Sequence, residues 1–262
     1  MHLPTSQEGR YSQSLERGLA ILRAFTPERT WMGIAEIAEH LEMSRPTTHR
    51  YASTLVALNY LEQGRGRKYR LGMRAGDPGR AAIASTSLRA LPSSLLAGLR
   101  DRSGCTASLA VLDGADVVYV DRARSARQGR VEVSARIGRG SRLPARETAM
   151  GRVLLAGLSE EELRAALEQS GTGGRGSDLT KLMAELEPVR NDGFVIAPQL
   201  HVADQLCVAA PILDRAPGAA IAAVEVACAT DEHAVDDARE RLAPLVCETA
   251  REMSEQLGRH RA

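Results

Sequence analysis

The sequence predicts an α+β protein in two parts, and three observations carry that reading. A chain of 262 residues is long enough for two domains, each burying its own core. Six of the eight aromatic residues, Tyr11, Phe25, Trp31, Tyr51, Tyr60 and Tyr69, precede residue 72; only Tyr119 and Phe194 follow it, so the two parts have different core chemistries. Charge divides at nearly the same place. Residues 1–75 hold 11 Arg and Lys against 7 Asp and Glu, a net +4, whereas residues 76–262 hold 23 against 26, a net −3.

In the first part, Leu15, Leu19, Leu22 and Phe25 recur at helical spacing until Pro27 stops them, which predicts a helix over about 14–25. Ile34, Ile37, Ala38 and Leu41 mark a short second helix. Ser44 is a good N-cap and Pro46 falls in the first turn, where a missing N–H costs nothing, so a third helix runs over roughly 45–58 with Thr48, Ala52 and Leu55 inward. Two short helices joined by a tight turn form a helix-turn-helix pattern. Tyr60–Gln63 and Lys68–Leu71 then read as strands flanking the tip Gly64-Arg65-Gly66-Arg67, a hairpin placed as a wing. The first domain is therefore 1–72, and the Ala- and Ser-rich stretch 73–90 reads as a linker helix.

The second domain, 91–262, opens with a helix over Leu91–Ser103, followed by strands Thr106–Leu112 and Asp116–Asp121 around Asp113-Gly114 and a third strand at Gly129–Ala135. Leu143–Leu158 reads as a helix entered through Pro144; a short helix after Ser159 and a longer one over Asp178–Asn191 follow, separated by glycines at 171–176. Strands at Phe194–Pro198, Gln205–Leu213 and Ala219–Cys228 precede a closing helix over about 235–257. Helices at both ends of a run of strands predict a mostly antiparallel sheet.

The basic excess concentrates in Ser44–Arg74, where seven cations face Glu62 alone, a net +6 in 31 residues. A polyanion partner is the natural implication, because each neutralised phosphate releases condensed counterions. The alternative is a solvated basic face. Arg45 and His49 form one row of the third helix, and Pro46 and Arg50 the adjacent one, all away from the core face. These four are the candidates for reading base edges, with Thr47 as a phosphate or cap contact. Arg65, Arg67 and Lys68 on the wing suit the phosphate backbone.

Other classes find little support. No apolar run approaches the ~18 residues of a membrane span, which sets the expectation of a soluble, cytoplasmic protein. Cys105, Cys207, Cys228 and Cys247 form no C-x-x-C pair, so separate reduced thiols are expected, without a disulfide scaffold or metal centre. Neither H-E-x-x-H, G-x-S-x-G nor a P-loop occurs, and no cofactor is implied. The one enzymatic alternative is a Cys207/His201 nucleophile pair, with Asp204 nearby, in an enzyme carrying a DNA-binding module.

Ser14-Leu15-Glu16-Arg17-Gly18-Leu19-Ala20-Ile21-Leu22, the segments 34–41 and 44–50, and Tyr69-Arg70-Leu71-Gly72 resemble the IclR family of bacterial transcriptional regulators. Asp113-Gly114, Val117–Arg122, Thr148–Ala156 with its Met-Gly-Arg, Gly193 and Cys207–Ile212 follow the family's second domain in order and spacing, over about residues 12–258. Thr148–Ala156 is also similar to the branch that governs aromatic-acid catabolism through β-ketoadipate. The resemblance implies a winged helix-turn-helix, a linker helix and a GAF-like effector-binding domain. The implied partners are double-stranded operator DNA, a small-molecule effector of the metabolic-acid class, and further copies of the chain as a dimer or dimer of dimers, with no membrane. By position it implies an effector pocket lined by Ala149, Met150, Ala197, Gln205, Cys207, Glu225 and Ala227. Ala197 stands where some relatives carry an acid, and Glu225 where they carry a small hydroxyl. A carboxylate facing an acidic ligand needs a proton or an inward arginine, Arg146 or Arg122. Glu42 replaces the glycine usual in the helix-turn-helix turn, which sets the expectation of a looser or differently shaped turn.

Overall fold

The computed structural model describes residues 11–26, 28–84, 91, 93–126, 137–169, 176–198, 205–214, 219–230 and 235–260. The chain divides into two compact units, 1–85 and 86–262, so the start of the linker segment clusters with the first. Among the described residues no helix is long and apolar enough to cross a membrane.

In the first unit, α1 (Gln13–Arg23), α2 (Ile34–His40) and α3 (Arg45–Ala57) pack around Ile21, Ile37, Ala52 and Leu55. Strands β1 (Met32–Gly33), β2 (Leu61–Gln63) and β3 (Lys68–Leu71) form a small antiparallel sheet in the order β1-β3-β2. The two-residue β1 is too short to leave a periodic signal in the sequence. Its partner Tyr69, opposite Met32, closes the core from the wing side. The turn between α2 and α3 corrects one expectation. Glu42 adopts φ 52°, the left-handed conformation that glycine would take, and the Met43 N–H reaches the Ala38 carbonyl at 2.8 Å. The turn keeps its tight shape, at a backbone cost that a glycine would not incur. Beyond the wing, a 3₁₀ turn (Met73–Gly76) leads into α4 (Asp77–Ala84).

The second unit has a six-stranded antiparallel sheet in the order β6-β5-β4-β9-β8-β7, made of β4 (Thr106–Asp113), β5 (Asp116–Ala123), β6 (Arg142–Pro144), β7 (Val195–Pro198), β8 (Gln205–Leu213) and β9 (Ala220–Ala229). Helix α5 (Ser93–Ser103) and the closing helix α10 (Ala243–His260) cover one face. Val246, Ala250, Met253 and Leu257 at helical spacing join Leu96 and Leu99 over Val208, Val224 and Val226. The closing helix is reached through α9 (Val235–Asp237) and a π-helical turn (Ala238–Leu242). The opposite face is covered by α6 (Ala149–Ala156), α7 (Glu160–Gln169) and α8 (Gly176–Asp192).

Two expectations change here. Leu143 and Pro144 belong to β6, opposite Val117 and Asp116, and the helix starts only at Ala149, after the Thr148 hydroxyl accepts from the Gly151 N–H at 3.0 Å. Pro144 ends an edge strand, a position where a missing N–H is tolerated. Cys105 and Cys228 are joined by a disulfide, with Cα atoms 5.1 Å apart, so the expectation of separate reduced thiols holds only for Cys207 and Cys247. Sequence spacing hides this pairing because 123 residues separate partners that antiparallel β4 and β9 bring side by side. The strand expected at Gly129–Ala135 and the residues His201 and Asp204 lie outside the described residues.

A Cβ on Gly151 would overlap the Ala145 backbone, so α6 is held against the 145–147 turn at closest approach. Gly151→Ala should therefore destabilise the second unit by roughly 2–4 kcal/mol, whereas Glu42→Gly should stabilise the first by about 1 kcal/mol. Chemical denaturation of the two variants beside the parent chain checks both signs.

Candidate DNA-binding face and effector pocket

The third helix presents its surface as the sequence predicts. Ser44 caps it, accepting from the Thr47 N–H at 3.4 Å and donating to the Thr47 hydroxyl at 2.8 Å. Thr48 is fully buried and donates to the Ser44 carbonyl at 3.0 Å, so its hydroxyl is spent on the backbone. Arg45, Pro46, His49 and Arg50 are all exposed, and Thr47 is half-buried. The Arg50 guanidinium lies 5.4 Å from the centroid of the Tyr51 ring, and the Tyr51 hydroxyl donates to Ser14 Oγ at 3.1 Å. This ties the base of the helix to the start of α1, and the hydrogen bond to Ser14 lowers the Tyr51 pKa.

On the wing, Gly66 and Arg67 take φ of 71° and 56°, and the Gly64 N–H bonds the Lys68 carbonyl at 2.8 Å. Gly64 lies on the Trp31 ring so closely that a Cβ would overlap it. Arg70 is drawn out of the basic set: it donates to Glu62 Oε2 from Nε at 2.8 Å and Nη2 at 2.6 Å, and stacks 5.0 Å from the Trp31 centroid. Arg65, Arg67 and Lys68 are exposed, and none of them makes an ion pair with a described residue.

The seven residues implied for the effector pocket are all buried, and the structure brings them together. Ala197 pairs with Cys207 and Cys207 with Ala227, which sets three of them on one line across β7, β8 and β9. Gln205 and Glu225 lie two residues away on the same faces of their strands. Ala149 and Met150 face them from α6, in the same core cluster as Ala197, Cys207 and Ala227.

Three further residues enter this group. Register places Arg122 opposite Ser108 and Ser108 opposite Glu225, one polar row across β5, β4 and β9. Tyr119 joins because the pairing of β4 with β5 shifts between Leu109 and Ala110, leaving Val120 bulged and turning Tyr119 and Arg122 to the same face. Arg122 lies 6.0 Å from the Tyr119 centroid and donates from Nη1 to the Ile137 carbonyl at 2.6 Å. The Tyr119 hydroxyl donates to Glu225 Oε1 at 3.4 Å. Strict alternation along Asp116–Asp121 brings Tyr119 inward with Val117, but puts Arg122 on the other side, so the bulge is the signal the sequence lacks. Arg146, the other candidate for an inward arginine, pairs with Glu185 at 3.7 Å instead. It sits at the rim of a separate cavity of about 360 Å³ floored by Leu155, Leu163 and Leu182.

Burial controls the electrostatics. It pushes the Glu225 carboxyl from 4.5 up to about 7, with Arg122 and the Tyr119 hydrogen bond opposing. It lowers the Arg122 pKa, against the pull of Tyr119 and Glu225. The Cys207 thiol is driven well above its ordinary value by burial and by Glu225, the opposite of the activation a nucleophile needs. Glu225 Oε2, Ser108 Oγ and Gln205 Nε2 have no hydrogen-bond partner among the described residues.

The IclR helix-turn-helix domain family matches residues 14–65, and the bacterial transcriptional regulator IclR C-terminal family matches residues 80–255. The chain is 32% identical over 251 residues to the Pca regulon regulatory protein of Pseudomonas putida, covering 94% of this chain and 84% of the relative. Among solved structures, a transcriptional regulator of Rhodococcus sp. RHA1 superimposes with TM-score 0.75 at 33% identity, covering 94% of this chain and 98% of the other. An IclR homologue of Microbacterium hydrocarbonoxydans in complex with 4-hydroxybenzoate superimposes with TM-score 0.73 at 25% identity, covering 94% and 99%.

The raised carboxyl pKa has a stability consequence with a fixed sign. Below pH 4.5 the Glu225 carboxyl is protonated in both folded and unfolded chains; between 4.5 and about 7 only the folded chain holds the proton, and stability is lost as pH rises through that window. Glu225→Gln removes the effect. The variant should gain roughly 3 kcal/mol over the parent on going from pH 4 to pH 8, read from paired denaturation curves.

Proposed function

The chain belongs to the IclR family of bacterial transcriptional regulators, and from that premise we propose how its two units divide the work. It is a DNA-binding regulator whose operator binding responds to a small molecule. Arg45, Pro46, His49 and Arg50 read base edges in the major groove, Thr47 holds the cap and a neighbouring phosphate, and Arg65, Arg67 and Lys68 follow the backbone with the wing. The exposure of these cations without ion-pair partners among the described residues supports the assignment, since a cation already paired, such as Arg70, has little to offer a phosphate. Arg50 stacked on Tyr51 is pre-oriented, which lowers the entropy cost of engaging a base.

The effector occupies the inner face of the large sheet, against α6, among Ala149, Met150, Ala197, Gln205, Cys207, Glu225 and Ala227, with Ser108, Tyr119 and Arg122. The observation that carries this reading is the cluster of buried polar atoms without partners among the described residues, Glu225 Oε2, Ser108 Oγ and Gln205 Nε2, flanked by alanines. Buried polar groups are ordinarily satisfied, and an unsatisfied group set in an otherwise apolar core is a place for a ligand's own polar atoms. The donors and the inward arginine favour an organic acid. The 4-hydroxybenzoate in complex with the Microbacterium hydrocarbonoxydans homologue favours an aromatic one. A single helix and wing bury too little for a specific site, so the regulator works in the cytoplasm as a dimer, or a dimer of dimers, on a two-fold operator.

The direct test recovers operator fragments with the purified protein and titrates them with benzoate, 4-hydroxybenzoate and pyruvate. An organic acid should change operator affinity, and an affinity indifferent to all three would reject the acid reading. Arg45→Ala or Arg50→Ala should each cost about 1–3 kcal/mol and relax preference at defined operator positions. Neutralising Arg65, Arg67 and Lys68 together should weaken binding to every sequence and flatten log K against log salt by about one for each phosphate left unneutralised. Mobility-shift titrations against operator variants and across salt separate the two behaviours.

A further inference from the structure

We propose that the pocket takes its organic acid together with a proton on Glu225, so that the buried side chain donates to the ligand's carboxylate. This rests on the organic-acid reading above and adds its regulation: acid capture is coupled to proton uptake.

The geometry sets the requirement. Arg122, Ser108 and Glu225 lie in register on three adjacent strands, so neighbouring Cα atoms are roughly 5 Å apart and Ser108 sits midway along the row. Among the open atoms, the Ser108 hydroxyl and the Gln205 amide nitrogen can donate, and Arg122 adds a half-buried cation. A carboxylate brings acceptors only. It suits all three, but against an ionised Glu225 it meets Oε2 lone pair to lone pair, and at a buried carboxylate that repulsion is strong. One proton on Oε2 removes the like charge and turns the last acceptor of the row into a donor. The row then matches a carboxylate throughout.

That proton is readily available. Burial already holds the Glu225 carboxyl near 7, and an anion brought against it raises that value further. Among the described residues the ionisable groups facing it are Tyr119 and Arg122 on β5 and Cys207 on β8; β4 contributes no ionisable group, only the hydroxyls of Ser108 and Thr106. The face of α6 turned to the sheet is apolar, formed by Ala149, Met150, Val153 and Leu154. Arg122 by itself opposes protonation of Glu225, and an incoming carboxylate neutralises that opposition. The proton comes from solvent on binding and returns to it on release.

Calorimetric titration of the full chain with benzoate, 4-hydroxybenzoate and pyruvate, in two buffers of different ionisation enthalpy from about pH 5.5 to about pH 8.5, counts the protons. For an acid that binds, uptake should rise from near zero at the acid end to about one proton per ligand at the alkaline end, and affinity should fall about tenfold per pH unit above neutrality. Glu225→Gln carries a permanent N–H donor, so its affinity should be flat with pH and at least about tenfold tighter than the parent's at pH 8.5. The proton count is made on the parent chain, so it stands even where the variant fails to fold. Binding without uptake, or with release, overturns proton coupling and leaves the organic-acid reading intact. A pH slope that persists in Glu225→Gln assigns the proton to another group and also overturns it. No binding by any of the three acids at any pH removes both readings.

Discussion

Burial of the large sheet on both faces is the constraint from which the second unit follows. With α5 and α10 on one side and α6, α7 and α8 on the other, β8 and β9 have no solvent face, and their side chains are almost all small or aliphatic. In such strands a polar residue has nowhere benign to point. Strand alternation then assigns the few exceptions without ambiguity: Gln205 and Glu225 share the α6 side with Cys207 and Ala227, while Leu206, Val208, Val226 and Cys228 take the other. The disulfide lies on the helical side away from the pocket, where it joins β4 to β9, the two strands that carry Ser108 and Glu225.

The same logic runs through smaller devices that fix side chains by fixing backbone. Gly151 lets α6 press against the 145–147 turn, and the Arg152 guanidinium, donating to the Arg146 carbonyl at 3.2 Å, braces it further. That seating aims Ala149 and Met150 at the sheet. In the first unit, Gly64 on Trp31 and the Glu62–Arg70 pair stiffen the wing from beneath, so the cations at its tip project from a supported hairpin. An exposed pair of this kind contributes little to stability by itself. Its effect here is positional, and it removes Arg70 from the cations free to meet a phosphate.

How much of this is legible in the sequence depends on whether the deciding interaction is local. The third helix is readable because Ser44, Pro46 and the Thr48/Ala52/Leu55 stripe state its start and its inward face within a dozen residues, and the helix found, Arg45–Ala57, follows them. Strand β8 is readable residue for residue because an apolar run bounded by loops leaves no other choice. The failures involve partners distant in sequence or conformations that residue type conceals. Cys105 and Cys228 meet only once two strands align. Leu143 and Pro144 read as a helix start because proline suits both a first helical turn and an edge strand. Glu42 sets the expectation of a loose turn, yet neighbouring hydrogen bonds impose the left-handed backbone on a residue that does not favour it. The pocket is legible only in part: its small lining residues follow the family pattern, whereas Arg122 comes inward through a bulge that exists only in the pairing of β4 with β5.

The arginines show why charge counted along a chain is a poor guide to function. Thirty-two of the 34 Lys and Arg residues are arginine, yet those described include at least three different physical situations. Arg70 and Arg142 are held by carboxylates and serve the fold. Arg45, Arg65 and Arg67 stand exposed without such partners among the described residues, and a charge of that kind acts through its number and is screened by salt. Arg122 is the third case: half-buried, it acts on Glu225 at short range, where added salt screens less than at the open surface. Its influence is expressed in where a proton resides. Two kinds of electrostatics therefore coexist in one chain: charge at the exposed arginines is screened by salt, whereas the Glu225 carboxyl, raised by burial, is set by its immediate neighbours.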